Sequence, residues 1–569
     1  MTFAALALLP AMALAALPAD PATPAVAAPA APGAAGTALP AGAEAGLAAV
    51  NPVALSAATR FLSSDLLEGR GTATRGHEIA ALWVSTQMEG IGLSPAGPEG
   101  SWRQEVPLRA WKVDPEGSSL AVHGPALPPV HLTPDQDFVA LGDGEHAEVE
   151  LDGALAFVGY GITAPEYGYD DLRGVNLAGK VAVVLWGAPS SDRPNFFPPA
   201  PRAAYADRAG KMRRLAARGA AGVLFVYTPE AEEALPWGDF VRNSRLEGMG
   251  WAEGVRLGDG VDALPARAVL SMRGLERLTA AAGIAGGARA ILEKAEANRL
   301  AAQDWPVKVR IRTASELRPT RSPNVLGILR GSDPARARET VVVMAHLDHL
   351  GIGEPVGDDA IHNGAMDNAV GVAVLLEIAR AFAALPHPPA RSILFAAVTG
   401  EEKGLVGSSY LATHPVVDPA GIVAVINVDG APTAFPFLDA VARGAEHSTL
   451  AVPAGRAAEA LGVPLSPDPN PRSAAFVRSD QWSFVRAGVP SLFLTPGWKA
   501  PEGADPAARR AWMRERYHTP RDEWDPAWRW GDTARFARLQ FLVALLVADA
   551  PDRPAWNPGD FFGRLARPG

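Results

Sequence analysis

Residues 341–351, VVVMAHLDHLG, carry a continuous apolar run straight into a histidine and an aspartate. The same design recurs at 392–402, SILFAAVTGEE, and at 422–430, IVAVINVDG. Continuous apolar runs of this length are typical of strands that are buried on both faces of a parallel sheet. We therefore predict that the three strands lie in one sheet and deliver their polar residues to one edge, at the strands' carboxyl ends.

Strand and helix patterns alternate through the C-terminal half of the chain. The predicted strands are 324–329, 341–345, 392–398, 422–428 and 491–494, and the predicted helices are 368–384, 404–412, 448–461 and 535–548. Apolar strands alternating with helices indicate an α/β fold with a doubly wound, mostly parallel sheet flanked by helices.

An earlier stretch, 114–298, has a pattern of its own. A strand at 181–185, a helix at 206–218 and a strand at 223–227 follow one another with short turns between them. This pattern predicts a smaller inserted domain. The predicted partition is 49–113 together with 299–555 for the main domain, 114–298 for the insertion and 556–569 for a C-terminal tail.

Composition excludes several classes of protein. The chain has 569 residues, a net charge of -10 and no cysteine. Its length predicts two or three domains, and its negative charge argues against a nucleic-acid partner. Without cysteine there are no disulfides and no thiolate zinc sites, so any metal must be bound by His, Asp and Glu.

The N-terminus predicts an exported protein. Met1–Leu17 is apolar and rich in Ala and Leu, as in a secretory signal, although no Lys or Arg occurs before Arg60. The apolar run is short for a membrane span, so we expect no stable membrane insertion once the leader is removed. Residues 18–48 predict a disordered Ala/Pro-rich spacer. The expected location is periplasmic or extracellular.

Five islands near predicted strand ends carry the candidate chemistry. They are His346-Leu347-Asp348, Met366-Asp367-Asn368, Glu401-Glu402, Asn427-Val428-Asp429 and Tyr517-His518. Two imidazoles and several carboxylates indicate a hydrolytic site for two divalent metal ions, with zinc the best fit. A metal lowers the pKa of bound water from about 15.7 to about 7, and one of two adjacent glutamates can take its proton while the other ligates.

The islands resemble the M28 family of metallo-aminopeptidases in order and in local context. The segments are MAHLDHLG, NGAMDNAVG, VTGEEKGLVGSSY, INVDG and YHTPRDEWD, within Pro323 to Asp525. FVGYGITAPEYGYDDLRGVNLAGKVAVVL, within the predicted insertion, resembles a protease-associated domain. SSDLLEGRGTATRG, at Ser63 to Gly76, resembles the start of such exported enzymes.

The resemblance implies a zinc exopeptidase fold with two zinc ions per chain. One ion would be held by His346, Asp367 and Asp429. The other would be held by Asp367, Glu402 and His518, with Asp367 bridging the two. The resemblance also implies a cis peptide bond between Asp367 and Asn368.

The same resemblance implies three catalytic roles. Glu401 would be the general base that later returns its proton to the leaving amine. Asp348 would orient His346. Tyr517 would hydrogen-bond the tetrahedral oxyanion.

Some residues depart from the family pattern or receive no role. Met366 stands where relatives often have Asp, Gln481 where they have His, and Gly430 where Met is common. His349 and His362 are near the islands without an assigned role. The segment Gly497–Arg516, just before His518, is a candidate lid that restricts the site to chain ends.

The sequence favours an enzyme that removes N-terminal residues from peptides. On the same scaffold, a carboxypeptidase of acidic peptides, a single-zinc glutaminyl cyclase and a metal-free binding protein stay open. The complete ligand sets around Asp367 favour two metals, and the presence of Glu401 favours catalysis. The oligomeric state is not predicted.

Overall fold

A computed structural model describes residues 39–124, 127–190, 196–252, 264–471 and 475–565. The predicted leader, 1–17, and the spacer up to residue 38 lie outside these ranges.

The main helices of the described residues are α1 Ala43–Ala49, α2 Pro52–Leu62, α3 Arg75–Ile91, α4 Pro199–Ala206, α5 Arg208–Ala217, α6 Pro229–Ala234, α7 Trp237–Ser244, α8 Met272–Ala281, α9 Gly287–Glu296, α10 Val370–Ala383, α11 Val406–Thr413, α12 Ala451–Ala460, α13 Gln481–Arg486, α14 Pro506–Arg516, α15 Trp530–Asp549 and α16 Phe561–Leu565. Short 3₁₀ turns, such as Asp65–Arg70, lie between some of them.

The strands are β1 Ser94–Pro95, β2 Arg103–Gly124, β3 Leu127–His131, β4 Phe138–Leu141, β5 Glu148–Phe157, β6 Thr163–Ala164, β7 Tyr169–Asp170, β8 Val181–Leu185, β9 Gly222–Val226, β10 Gly248–Trp251, β11 Ala266–Leu270, β12 Gln303–Leu329, β13 Thr340–His346, β14 Gly351–Val356, β15 Asp359–His362, β16 Ser392–Val398, β17 Ile422–Asn427, β18 Ala440–Arg443 and β19 Ser491–Pro496.

One sheet runs through the described residues in the order β18-β19-β17-β13-β16-β12-β5-β8-β9-β11-β4. β13 pairs in parallel with β16 on one side and with β17 on the other, and β17 pairs in parallel with β19. Every residue of β13, β16 and β17 is buried, as their unbroken apolar runs predict. The α/β class is confirmed, and the carboxyl ends of the three strands share one edge.

Two long strands join this sheet to the insertion. β12 pairs antiparallel with β16 through Val325–Leu329 and with β5 through Gln303–Ala314. β2 follows β12 along most of its length. The predicted border at 113/114 falls inside β2, so the insertion continues the main sheet. That the insertion is a protease-associated domain stays a prediction.

The insertion has apolar cores of its own. β5, β8, β9 and β11 pair in parallel, and their buried residues form two clusters, one on each face of the sheet. The predicted strand–helix–strand pattern corresponds to β8, α5 and β9, whereas β11 was missed.

The predicted end of the spacer at residue 48 is wrong, because α1 begins at Ala43. Ala43 and Gly46 are buried, and a Cβ at Gly46 would clash with the ring of Phe541 in α15. Small residues let α1 approach α10 and α15 closely. From sequence alone, the same small residues resemble the composition of a disordered spacer, because their packing against α10 and α15 is not visible there.

The predicted tail at 556–569 also needs correction. Phe562 of α16 is fully buried in a cluster with Phe476, Trp482 and Phe493. The indole of Trp556 donates to the carbonyl of Gly488 at 2.9 Å. Aromatic burial therefore anchors residues 556–565 to the fold, and 566–569 lie outside the described residues.

Within the described ranges, no single helix is long and apolar enough to cross a membrane. α1 and α2, bent by 50° relative to each other, meet the length and composition criteria only as a pair.

Candidate metal centre

The five side chains predicted as metal ligands meet at the sheet edge where β13, β16 and β17 end. His346 is the last residue of β13, Glu402 lies in the loop after β16, and Asp429 follows β17. Asp367 lies in the turn before α10, and His518 follows α14. The structure brings all five together, and their role as ligands stays a prediction.

Asp367 lies between the two imidazoles. Nε2 of His346 is 3.1 Å from Oδ1 of Asp367 and 3.5 Å from Oδ1 of Asp429. Nε2 of His518 is 3.1 Å from Oδ2 of Asp367 and 3.5 Å from Oε2 of Glu402. Each carboxylate oxygen of Asp367 thus faces a different histidine, as a bridging residue requires.

These spacings fit two zinc ions. Zinc bonds to nitrogen and oxygen of about 2.0–2.1 Å in a tetrahedron place neighbouring ligand atoms about 3.3 Å apart. The four distances between 3.1 and 3.5 Å bracket that value. Nitrogen and carboxylate oxygen are also the donor types that zinc accepts without cysteine.

The predicted cis peptide bond is confirmed. The bond between Asp367 and Asn368 is cis. The Asn368 amide donates to the carbonyl of Val428 at 2.9 Å and accepts from the backbone N–H of Gly430 at 2.9 Å. The loop of Asp367 is thereby joined to the loop of Asp429.

Charge pairing within the buried centre shifts the pKa values of His346 and Asp367 toward their charged forms. Burial alone would lower the pKa of His346, but hydrogen bonds with Asp367 and Asp429 raise it well above its usual range. Burial opposes the charged form of Asp367 too, but His346 and His518 hold the pKa of Asp367 well below its usual range.

Glu401 responds in the opposite direction. Burial and the negative charges of Glu402, Asp480 and Asp429 raise the pKa of Glu401 well above its usual range. The neighbouring Asp480 is fully buried, and burial raises its pKa to about 7. A carboxyl group whose pKa is raised, beside the carboxylate of Asp367 whose pKa is lowered, is suited to proton transfer.

Asp348 connects His346 to Glu401. Nδ1 of His346 lies 3.1 Å from the backbone carbonyl oxygen of Asp348 and 3.9 Å from its carboxylate. The carboxylate instead accepts from the backbone N–H of Glu401 at 3.1 Å. His346 is oriented mainly by the Asp348 backbone, a detail that the motif alone does not give.

Comparison with known proteins places the site in a family. Residues 324–544, which contain all five candidate ligands and Glu401, match peptidase family M28. This region is an M28 peptidase domain.

Curated relatives match a shorter part of the chain. A probable zinc metalloprotease of Pyricularia oryzae is 38% identical over 112 residues, which are 20% of this chain and 21% of that protein. A probable zinc metalloprotease of Pyrenophora tritici-repentis is 35% identical over 112 residues, which are 20% of this chain and 22% of that protein. The chain thus spans about a fifth of the length of the curated relatives it matches.

A solved structure shares the fold over most of the chain. An aminopeptidase from Aneurinibacillus sp. strain AM-1 superposes with a TM-score of 0.52 at 18% identity. The match covers 91% of this chain and 99% of that one.

Tyr517 lies against a candidate ligand of the M28 domain. Its ring stacks on that of His518, with centroids 3.9 Å apart and planes at 19°, and 44% of the residue is exposed. The residue therefore borders the centre from the solvent side. Its role toward an oxyanion stays a prediction.

A third histidine reaches the M28 centre without having been predicted. Nδ1 of His349 is 2.7 Å from Oε1 of Glu402, and the ring is fully buried. His349, Asp367 and Glu402 form a group with ligand atoms within 4.8 Å of one another. The sequence shows that His349 directly follows His346-Leu347-Asp348, but it does not show that the side chain of Glu402 contacts the His349 ring.

Two further polar side chains brace the ligand loops. The carboxylate of Asp522 accepts from the backbone N–H groups of Met366, at 2.9 Å, and Asp367, at 3.0 Å. The hydroxyl of Ser479 donates to Oδ2 of Asp429 at 2.7 Å. Both lie within the matched residues 324–544, yet their roles depend on contacts with loops distant in the sequence.

Gln481, where relatives have His, serves the same bracing network. Its side-chain oxygen accepts from the Asn427 amide at 2.8 Å, and that amide also donates to Ser479 at 2.8 Å. Gln481 therefore supports Asp429 through Ser479 without touching the candidate ligands.

Proposed function

We propose that this protein is an exported, zinc-dependent aminopeptidase that hydrolyses the N-terminal peptide bond of peptides. The observation that carries the proposal is the position of Asp367, with one imidazole facing each carboxylate oxygen and Glu401 beside the pair. The M28 match and the zinc metalloprotease relatives support the same chemistry.

Two ligand sets would hold the metals. His346, Asp367 and Asp429 would bind one zinc, and Asp367, Glu402 and His518 the other. Zinc bound there would act as a Lewis acid toward a carbonyl oxygen and make water acidic enough to lose a proton near neutral pH.

Glu401 would manage the proton. Its raised pKa allows its carboxylate to accept a proton from water and, once protonated, to donate it to the departing amine. The hydrogen bond from its backbone N–H to Asp348 fixes the loop on which it stands. Tyr517 would hydrogen-bond the tetrahedral oxyanion from the exposed side of the centre.

α14 would limit the site to chain ends. Trp512 and Met513 of this helix pack against a cluster that contains Met366, the neighbour of Asp367. Arg509 lies over the Phe435 ring, 5.8 Å from its centroid, and Phe435 meets Trp512 edge-on at 5.9 Å. This contact network supports the lid assignment of Gly497–Arg516.

The proton-transfer assignment has a direct test. Glu401→Gln should retain both zinc ions, because Glu401 is outside the ligand sets, and should lose several orders of magnitude in kcat. Metal content per chain and kcat on an aminoacyl chromogenic substrate are the two measurements.

Glu523→Gln is the matched control, since Glu523 is exposed near His518. It should keep wild-type kcat. Wild-type turnover in Glu401→Gln would refute the role of Glu401. Release of amino acids from free but not N-acetylated peptides separates an aminopeptidase from a carboxypeptidase. Absence of all release indicates one of the other two alternatives, which the metal content per chain separates: one zinc for a glutaminyl cyclase and none for a binding protein.

Export is proposed from the apolar leader at Met1–Leu17. Fractionation of producing cells, with N-terminal sequencing of the mature chain, tests it. A cytoplasmic protein that retains Met1 would contradict it.

A further inference from the structure

The segment Ser63–Thr72, part of the N-terminal motif, contacts the loops that carry the candidate metal ligands. Ser63–Thr72 precedes the M28 match at 324–544 by some 250 residues. Nevertheless it contacts the loop that follows β13 and the loop that precedes Asp367.

Arg70 ties these two loops together. It is fully buried, and its guanidinium donates to the carbonyl oxygens of Leu347 at 3.0 Å, Asn363 at 2.7 Å and Gly364 at 3.0 Å. It also donates to the carbonyl of Leu62. Leu347 stands between His346 and Asp348, so one side chain fixes the backbone of both ligand loops.

The charge of Arg70 faces the carboxylates of the centre. These acceptors of its guanidinium are carbonyl oxygens, while Asp522, Asp348, Asp367 and Glu402 lie within electrostatic range. A buried cation there offsets part of the repulsion among these groups.

The backbone of the segment follows the same loop. The N–H of His349 donates to the carbonyl of Arg70 at 3.2 Å, and Gly71 forms a β-bridge with His349. Gly69 has a φ of +66°, and a Cβ there would clash with the carbonyl of His362. Only a glycine permits this close approach.

Thr72 extends the contact to the loop of Glu401. Its hydroxyl donates to Oδ2 of Asp348 at 2.8 Å. Oδ1 of the same carboxylate accepts from the N–H of Glu401 at 3.1 Å. Thr72 therefore positions Asp348 between the loops that carry His346 and Glu402.

We propose that Ser63–Thr72 is a structural part of the metal centre, and that Arg70 and Thr72 are positioning residues that set its zinc affinity. The inference rests on the proposed zinc centre. Partners that hold ligand residues from outside the ligand set are generally worth about 10–100-fold in metal affinity.

Thr72→Val tests the proposal, because it removes the hydroxyl and keeps the side-chain shape. Zinc affinity is measured on the full chain by competition with a chromogenic chelator, and metal-free stability by thermal unfolding. Thr72→Val should weaken at least one zinc site about tenfold or more. Thr72→Ser keeps the hydroxyl and should retain wild-type affinity.

Thr74→Val is the matched control. Thr74 follows the segment closely, and its hydroxyl donates to the carbonyl of Gly71 at 2.7 Å and accepts from the N–H of His77, in α3, at 3.4 Å. It should lower metal-free stability without changing zinc affinity. Arg70→Lys, with the exposed Arg75→Lys as its control, should weaken zinc binding in the same way.

The outcomes separate the two proposals. Wild-type zinc affinity in folded Thr72→Val and Arg70→Lys would overturn the inference. A wild-type chain that binds no zinc would instead overturn the proposed function. An equal loss of zinc affinity in Thr72→Val and Thr74→Val would mean that the segment acts only through general stability, which would also overturn the inference.

Discussion

At the scale of single residues, the buried side chain of His77 makes the stability of the fold depend on pH. His77, in α3, is fully buried. Its Nδ1 is 3.3 Å from the hydroxyl of Ser322, and among the described residues its Nε2 has no hydrogen-bond partner. Burial, with the positive charges of Arg70 and Arg103, lowers the pKa of His77 to about 3. The ring is therefore neutral in the folded protein.

This neutral histidine predicts a loss of stability in acid. The unfolded chain takes up a proton below its pKa of about 6.5, whereas the folded state does so only near 3, so stability falls as pH drops from about 6.5. Between pH 7 and pH 5 the single group should remove about 2 kcal/mol. His77→Phe lacks this proton, so its free energy of unfolding should fall less over that range.

Urea unfolding of both proteins with a chelator present measures the difference, since every other titrating group is shared. Equal pH dependence in the two proteins would show that the His77 ring is protonated or exposed in the folded state.

At the scale of elements, the proposed lid predicts that α14 limits which substrates reach the centre. Trp512→Ala removes its contacts with Phe435 and with the Met366 cluster, so α14 should detach more readily. We expect the ratio of kcat/KM for an octapeptide over a dipeptide to rise several-fold.

Arg514→Ala, on the exposed side of the same helix, is the control and should leave that ratio unchanged. An unchanged ratio in Trp512→Ala as well would remove the support for a lid.

The elements at the site edge could be predicted because they depend on local sequence. The unbroken apolar runs of β13 and β16 demand burial on both faces, and that places His346 and Glu402 at strand ends. Thr72 and Asp522 could not be predicted, since each acts on a loop more than 150 residues away. A single sequence contains no signal for such pairing.

At the scale of the whole molecule, the zinc ions should stabilise the fold as well as supply chemistry. Zinc that binds only the folded state at 100 times its Kd adds about 2.7 kcal/mol to the free energy of unfolding. Thermal unfolding after chelation and after return of zinc measures this, and activity should disappear and return in parallel.

Magnesium is the control, because it prefers oxygen ligands in an octahedron over sites with imidazole. Identical melting with and without zinc, together with full activity in chelator, would contradict a zinc centre.

β12 has one more consequence, for protein engineering. β2 and β12 run continuously from beside β16 into the insertion. Cutting the chain at residues 113 and 298 would therefore sever β2, and β12 would lose the hydrogen-bonded neighbours that it has in the insertion. The exposed edge of β12 would carry unpaired backbone N–H and C=O groups, which promote aggregation. We therefore expect that the insertion can be transferred to another peptidase only together with the whole of β2 and β12.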